Sequence, residues 1–294
     1  MNALPTPGFL QLQLRLKGIW QRRQLGQHFL FDEALLERIA TACALDERTL
    51  AVEIGPGAGT LTTMLARRAG GVLAVEFDQR LRPLHEESFG TNRLVRFLYE
   101  DALRVDLRAA ARQQATERGL DTCVLTGNLP FQITSPLLFA QCGPDVPWRR
   151  ITVMVQKEVA DRIGAPAGCK AYGILTVKLA CWWRVAERFD VPASAFQPRP
   201  KVDAAVLVME PRPAEETPGE EEWRGLSRFV DAAFGQRRKT LANALAGGWA
   251  ANRGREATYA ALAAMGFNEN VRAEQLSPVE LRRLHARLTG RDTV

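Results

Sequence analysis

Short apolar runs separated by longer amphipathic stretches, beginning at Leu50, restrict this chain to few folds. TLAVEIG (49–55), GVLAVEF (71–77), RLVRFLYED (93–101) and TCVLTGN (122–128) have strand character, and ITVMVQ (151–156) and AAVLVME (204–210) add two more. Between the first four lie TLTTMLARRAG (60–70), DQRLRPLHEESF (78–89) and ALRVDLRAAARQQATERG (102–119), each with helical spacing. Strands alternating with helices predict an α/β fold, a parallel sheet with helices on both faces. In such sheets ligands bind beyond the carboxyl ends of the strands, where the helices lead away.

The alternation stops at PRPAEETPGEEE (211–222), which is rich in proline and glutamate and lacks apolar periodicity. It reads as a linker or exposed loop. Beyond it, WRGLSRFVDAAFGQRRKTLANAL (223–245) and ATYAALAAMGF (257–267) have helical spacing. SPVELRRLHARL opens with Ser277 as N-cap, Pro278 in the first turn and Glu280 closing a capping box. The expected organisation is a basic N-terminal extension (1–21), an α/β domain (22–212) and a small all-α domain (213–294). Residues 1–30 carry Arg15, Lys17, Arg22 and Arg23 and no acid, which suits an arm on phosphates, a solvated tail or a transit segment. The transit reading is the weakest, since the segment runs without a spacer into QLGQHFLFD.

A net charge of +6 suits an acidic partner but does not require one. The five cysteines are scattered without a C-x-x-C pair, which argues against zinc and a disulfide framework and for a reducing, cytoplasmic setting. No apolar stretch is long enough to span a bilayer.

The strand ends carry the chemistry. VEIGPGAGTLT places Gly55, Gly57 and Gly59 between a strand and a helix, where the backbone must turn sharply and approach a ligand. No Gly-Lys-Ser/Thr follows, so it is not a P-loop. Glu76 ends the next strand run at the distance where an acid meets ribose hydroxyls. Asp101 ends the third and can accept from an adenine amino group. Singly, each acid is more often a solvated strand end; together with the glycine loop they point to an adenosine-containing cofactor, either a dinucleotide or S-adenosylmethionine.

The fourth strand end, GNLPF (127–131), decides between them. Adenine N6 is a poor nucleophile because its lone pair is delocalised into the ring. Alkylating it requires acceptors for its two hydrogens. Asn128 offers a side-chain carbonyl and Leu129 a main-chain carbonyl, projected because a residue before proline is held extended. Pro130 fixes the turn and Phe131 supplies a stacking face. A buried turn is the bland alternative. Hydride transfer would need nothing of this kind, so the cofactor is expected to be S-adenosylmethionine.

QLGQHFL, VEIGPGAGTLT, VEFD, EDAL, GNLPFQITSPLL, VMVQKEVADRI, KAYGILTV, AFQPRPKVDAAVL, GQRRKTLANAL and RAEQLSP together resemble the small-subunit ribosomal RNA adenine N6,N6-dimethyltransferase family, over residues 22 to 290. The resemblance implies a Rossmann-like class I methyltransferase sheet with a helical C-terminal domain, dimethylating two adjacent adenosines near the 3′ end of small-subunit rRNA. It puts cofactor contacts on His28, Leu30, Gly55, Glu76, Asp101 and Asn128, to which the glycine loop adds Gly57, and target-adenine contacts on Asn128, Leu129, Pro130 and Phe131; the transfer itself calls for no metal. His28 stands where the family often has asparagine, Leu25 replaces a frequent phenylalanine, and Phe131 replaces the commoner tyrosine.

RNA contacts are expected at Arg22, Arg23, Lys157, Arg162, Arg199 and Lys201, and at Arg237, Arg238 and Lys239 on a helical stretch. The implied partner is small-subunit rRNA or a pre-30S particle, met by a monomer, with no membrane involved. Competing readings are a 23S rRNA dimethyltransferase of the macrolide-resistance type, a DNA adenine methyltransferase and a non-catalytic RNA-binding assembly factor.

Overall fold

The computed structural model describes residues 4–19, 27–236, 238–247, 249 and 254–291; Arg22, Arg23, Leu25 and Arg237 lie outside them. They form two compact units.

The first unit comprises Met1–Leu138, Asp145–Ala160 and Val185–Pro211. It opens with α1 (Pro7–Leu16), capped by the Thr6 side chain, which accepts from Phe9 N–H at 3.2 Å. Leu10 and Leu14, one helical turn apart, are buried with Phe29, Leu81, Leu84 and Phe89, and Lys17 pairs with Glu87. This part of the predicted extension is therefore a core element rather than an arm or a solvated tail. After it come β1 (Phe29–Leu30), α2 (Glu33–Ala42), β2 (Thr49–Ile54), α3 (Thr60–Ala66), β3 (Gly71–Val75), α4 (Arg82–Phe89), β4 (Val95–Leu98), α5 (Leu107–Arg118), β5 (Thr122–Asn128) and α6 (Thr134–Ala140). Helix α5 shows why such segments form: Asp106 accepts from Ala109 N–H at its start, and Gly119 ends it in the left-handed region.

Next in the chain are β6 (Trp148–Gln156), α7 (Lys157–Ile163), α8 (Ile174–Ala180), β7 (Trp183–Val191), β8 (Phe196–Gln197) and β9 (Ala204–Pro211). The seven-stranded sheet has the order β4-β3-β2-β5-β6-β9-β7. Pairs β2–β3, β2–β5, β3–β4 and β5–β6 are parallel, and β9 runs antiparallel to β6. Strand order reverses direction at β2, the position where such sheets open a crevice beyond their carboxyl ends. Separately, β1 and β8 pair antiparallel, Phe29 with Gln197 and Leu30 with Phe196.

The second unit comprises Phe139–Pro144, Asp161–Arg184 and Arg212–Val294. It contains α8, α9 (Glu220–Phe234), α10 (Leu241–Ala246), α11 (Gly254–Ala264) and α12 (Pro278–Thr289). The expected boundary at residue 212 is thus only part of the division: 139–144 and 161–184 belong with the C-terminal helices. Long-range contacts put them there. The buried Tyr172 hydroxyl donates to the Leu276 carbonyl at 2.8 Å, and Lys178 pairs with Asp231 at 2.8 Å.

The stretch 211–222 is also less loose than its composition suggests. Arg212 donates to the Ala180 carbonyl at 2.6 Å, and Arg282 is bidentate on Glu222 at 2.6 and 2.9 Å. Glu220, Glu221 and Glu222 form the first turn of α9, where the helix dipole favours acids. At α12 the capping box forms: Ser277 N–H donates to Glu280 at 2.7 Å, and Glu280 N–H donates back at 3.3 Å. Arg238 and Lys239 do not lie on a helix. They are exposed in the break between α9 and α10.

Candidate active site

A cavity of about 270 Å³ opens at the carboxyl ends of β2, β3 and β5, lined by His28, Gly55, Gly57, Glu76, Asp101 and the whole 128–131 turn, among others. Leu30 does not border it. Leu30 is buried and lines a second cavity of about 40 Å³, shared with Glu53, Gly55, Gly57 and Asn128. Adjacent parallel strands end at similar heights, which is how residues far apart in sequence meet around one space.

The glycine loop brings the backbone close. Gly55 has φ +69°, and a Cβ there would lie 3.6 Å from the Asn128 carbonyl and 3.7 Å from Pro130 Cδ, narrowing the gap between two strand ends. Gly57 has φ +57°, and a Cβ there would meet the Phe29 ring at 3.0 Å.

Glu76 is buried at the end of β3. Its Oε2 accepts from Gly57 N–H at 3.0 Å and its Oε1 from Asp78 N–H at 2.7 Å. A carboxylate can take about four hydrogen bonds, so acceptor capacity for a diol remains. Burial, opposed by these backbone N–H groups, pushes Glu76 up to about 7. Asp78 is anchored by Gln27 at 2.9 Å and by Arg80 at 2.5 Å. Burial alone would raise Asp78, but hydrogen bonds from Arg80 and Gln27 outweigh it and hold the carboxyl below its usual range.

Asp101 borders the cavity from a different backbone position than expected. Strand β4 already ends at Leu98, and Asp101 begins a turn in which it accepts from Leu103 N–H at 2.9 Å.

At the fourth strand end, Asn128 Nδ2 donates to the His28 carbonyl at 3.1 Å. A carbonyl only accepts, so the amide nitrogen is the atom turned to His28, and Oδ1 is the acceptor the amide retains. Leu129 is 1% exposed and its N–H donates to the Met154 carbonyl at 3.0 Å, so its main-chain carbonyl is the group it can offer. The Pro130 carbonyl accepts from Ile133 N–H at 3.0 Å and from Thr134 Oγ1 at 3.1 Å, which locks the turn. Phe131 is half-buried and faces the His28 ring at 6.1 Å and 27°. His28 Nδ1 is 2.7 Å from the Pro198 carbonyl, so this nitrogen is the donor and joins the β1 end to the β8 end.

Several lining residues escaped the sequence reading: Gln27, Phe77, Glu100 and Phe196. Phe77, 58% exposed, had a signal available, an aromatic directly after the strand-ending acid in VEFD. Phe196 had none, being brought in by the β1–β8 pairing, whereas Pro200 belongs to PRPKVD (198–203), a stretch expected to flank the substrate cleft. Of the expected RNA contacts, Arg199 and Lys201 are exposed beside the lining residue Pro200, while Lys157 is paired with Asp190. Among the described residues, no group of His, Cys, Asp and Glu is gathered so as to hold a metal ion.

The residues present suit S-adenosylmethionine: a loop without a Cβ at Gly55 and Gly57, a buried carboxylate with acceptor capacity left, and an exposed flat ring next to it. A sheet of this order with these strand ends around one cavity defines a class I methyltransferase. Comparison with known proteins carries the assignment further. The family described as ribosomal RNA adenine dimethylase matches residues 19–288. The chain is 38% identical over 244 residues to "Ribosomal RNA small subunit methyltransferase A" of Anoxybacillus flavithermus, covering 82% of this chain and 81% of that one. It is 35% identical over 283 residues to the protein of the same name from Shouchella clausii, covering 96% and 94%. Among solved structures it is similar to a dimethyladenosine transferase from Plasmodium falciparum, with TM-score 0.73 and 22% identity over 90% of this chain and 98% of that one. It is also similar to the 23S rRNA methyltransferase ErmE, with TM-score 0.66 and 25% identity over 89% and 99%. The chain belongs to the ribosomal RNA adenine dimethylase family. It is an S-adenosylmethionine-dependent rRNA adenine dimethyltransferase.

Proposed function

We propose that this protein dimethylates N6 of two adjacent adenosines near the 3′ end of small-subunit rRNA, acting as a monomer in the cytoplasm on that RNA or on a pre-30S particle. The observation that carries the reading is that the Asn128–Phe131 turn and the glycine-loop and acid set face a single cavity. The names of the relatives at 35–38% identity favour the small-subunit RNA over the 23S alternative. Free thiols at all five cysteines fit a reducing compartment.

S-adenosylmethionine, when bound, supplies an electrophilic methyl group. The chain's part is to hold and orient. Glu76 accepts from the ribose hydroxyls, and Asp101 accepts from the cofactor's adenine amino group. Gly55 and Gly57 let the main chain come close, with His28 completing that side and Leu30 packed behind the same glycines. At the other end Phe131 stacks on the target adenine, while Asn128 Oδ1 and the Leu129 carbonyl accept its two N6 hydrogens. Holding both hydrogens favours a pyramidal nitrogen whose lone pair is exposed toward the transferable carbon. Catalysis is then positioning and preorganised hydrogen bonding. After methylation the nitrogen is cationic and loses one proton to solvent; the monomethylated amine retains one hydrogen, so either acceptor can hold it for the second transfer. Arg199, Lys201, Lys157 and Arg162, with Arg238 and Lys239, supply positive charge for RNA phosphates, and Arg22, Arg23 and Arg237 are proposed to join them.

The test is Asn128→Ala, assayed by labelled-methyl incorporation into small-subunit rRNA. A fall of about 10²–10³-fold is expected, the scale of losing one preorganised hydrogen-bonding group, with an unchanged circular-dichroism spectrum. Turnover near the wild-type rate would remove the amino-group role. Mass spectrometry of both rRNAs from cells with and without the gene separates the small-subunit reading from the 23S reading.

A further inference from the structure

The glycine loop rests on an aromatic floor that the site described above does not use. His85 and Phe89 lie four residues apart on α4, and Phe97 and Tyr99 two apart at the end of β4. The His85 ring stacks 4.1 Å from Phe97 at 11° and 5.9 Å from Tyr99 at 23°, and Phe89 lies 5.5 Å from Phe97. At 1% exposure, His85 is shut off from solvent, and both of its nitrogens have partners. Nε2 is 2.7 Å from the Gly57 carbonyl, and Nδ1 is 2.9 Å from the Tyr99 hydroxyl. Because a carbonyl cannot donate, Nε2 bears the proton; Nδ1 is then bare and accepts from Tyr99. A single neutral tautomer satisfies both contacts. Burial pushes His85 down to about 4, so that tautomer holds through neutral pH.

Gly57 is gripped from both sides. Its carbonyl accepts from His85 while its N–H donates to Glu76 Oε2 at 3.0 Å. A leucine at position 85 would fill the floor as well, but would leave the Gly57 carbonyl without its donor and the Tyr99 hydroxyl without its acceptor. Packing alone therefore does not account for an imidazole here. We propose that His85, held by Tyr99, is a positioning residue for S-adenosylmethionine: it fixes the Gly57 peptide in the orientation that aims Glu76 at the cofactor's ribose. The inference rests on the reading of Glu76 as the ribose acceptor.

The experiment is calorimetric titration of the full chain with S-adenosylmethionine and with S-adenosylhomocysteine, alongside thermal unfolding. His85→Leu is expected to raise both dissociation constants about tenfold, the scale of one lost buried hydrogen bond. His85→Gln keeps an N–H donor and should return binding to within about threefold of wild type. Tyr99→Phe, which removes only the hydroxyl, should weaken binding about two- to fivefold. Nitrogen-15 spectra of the imidazole should show the Nε2-protonated tautomer with and without ligand. Wild-type affinity in His85→Leu, whatever its thermal midpoint, overturns the proposal, as does His85→Gln binding no better than His85→Leu. If His85→Leu does not fold, undiminished binding by Tyr99→Phe together with weak binding by His85→Gln overturns it. Glu76→Ala separates the two readings. Wild-type binding there sinks the ribose assignment, whereas lost binding there with normal binding in His85→Leu sinks only the role of His85.

Discussion

Glu53 offers a sharp test of how burial tunes this site. It lies in β2 at 1% exposure, and its carboxyl accepts from Thr62 Oγ1 at 2.6 Å. Burial, opposed by the Thr62 hydrogen bond and reinforced by nearby Glu76, raises its pKa from 4.5 to about 8. Between those two values the unfolded chain has released the proton and the folded chain still holds it. Stability therefore falls as pH rises through this window, by about 1.4 kcal/mol per pH unit for this one group. From about pH 5 to about pH 7.5 the accumulated loss is about 3 kcal/mol. Glu53→Gln keeps an acceptor for Thr62 and cannot ionise. Its stability advantage over wild type should grow by about 3 kcal/mol across that interval, on the order of 6–12 °C in Tm. The assay is thermal unfolding of both cofactor-free proteins by circular dichroism at the two pH values. Shared titrating groups cancel in the double difference, because folded wild type is mostly uncharged at Glu53 across this interval, as the glutamine is. An advantage that stays flat or shrinks with pH would refute the reasoning.

Two further outcomes follow from other parts of the chain. Phe131→Ala should weaken RNA binding by about 1–3 kcal/mol through lost base stacking, seen in filter binding with cofactor affinity unchanged. Leu10→Ala should lower stability by about 2–5 kcal/mol in thermal melts, since Leu10 is fully buried in α1; an N-terminal arm would show no such loss.

The α/β class, the glycine loop, the acid Glu76 directly after β3, the Asn-Leu-Pro-Phe turn and the α12 capping box were legible in the sequence. Each depends on residues within a few positions of one another: apolar period, turn chemistry, a cap and its partner three residues on. Strand β7 was not legible, because it is the edge strand and Arg184–Arg188 are exposed in an unbroken run, which erases the period-two signal. The helical spacing of 223–245 likewise concealed the break that holds Arg238 and Lys239.

What the sequence determined by itself is therefore the local grammar of the site, meaning which strand ends carry an acceptor, an acid or a flat ring. Tertiary structure decided which of these share a cavity, and what holds them there. It assigned α1 to a core, put 161–184 with the C-terminal helices, turned the Asn128 amide through the His28 carbonyl, and placed His85 beneath Gly57. These relations join residues from about fifteen to about a hundred positions apart in sequence, where no local period or turn rule reaches. Only burial and pairing in the folded chain bring them together.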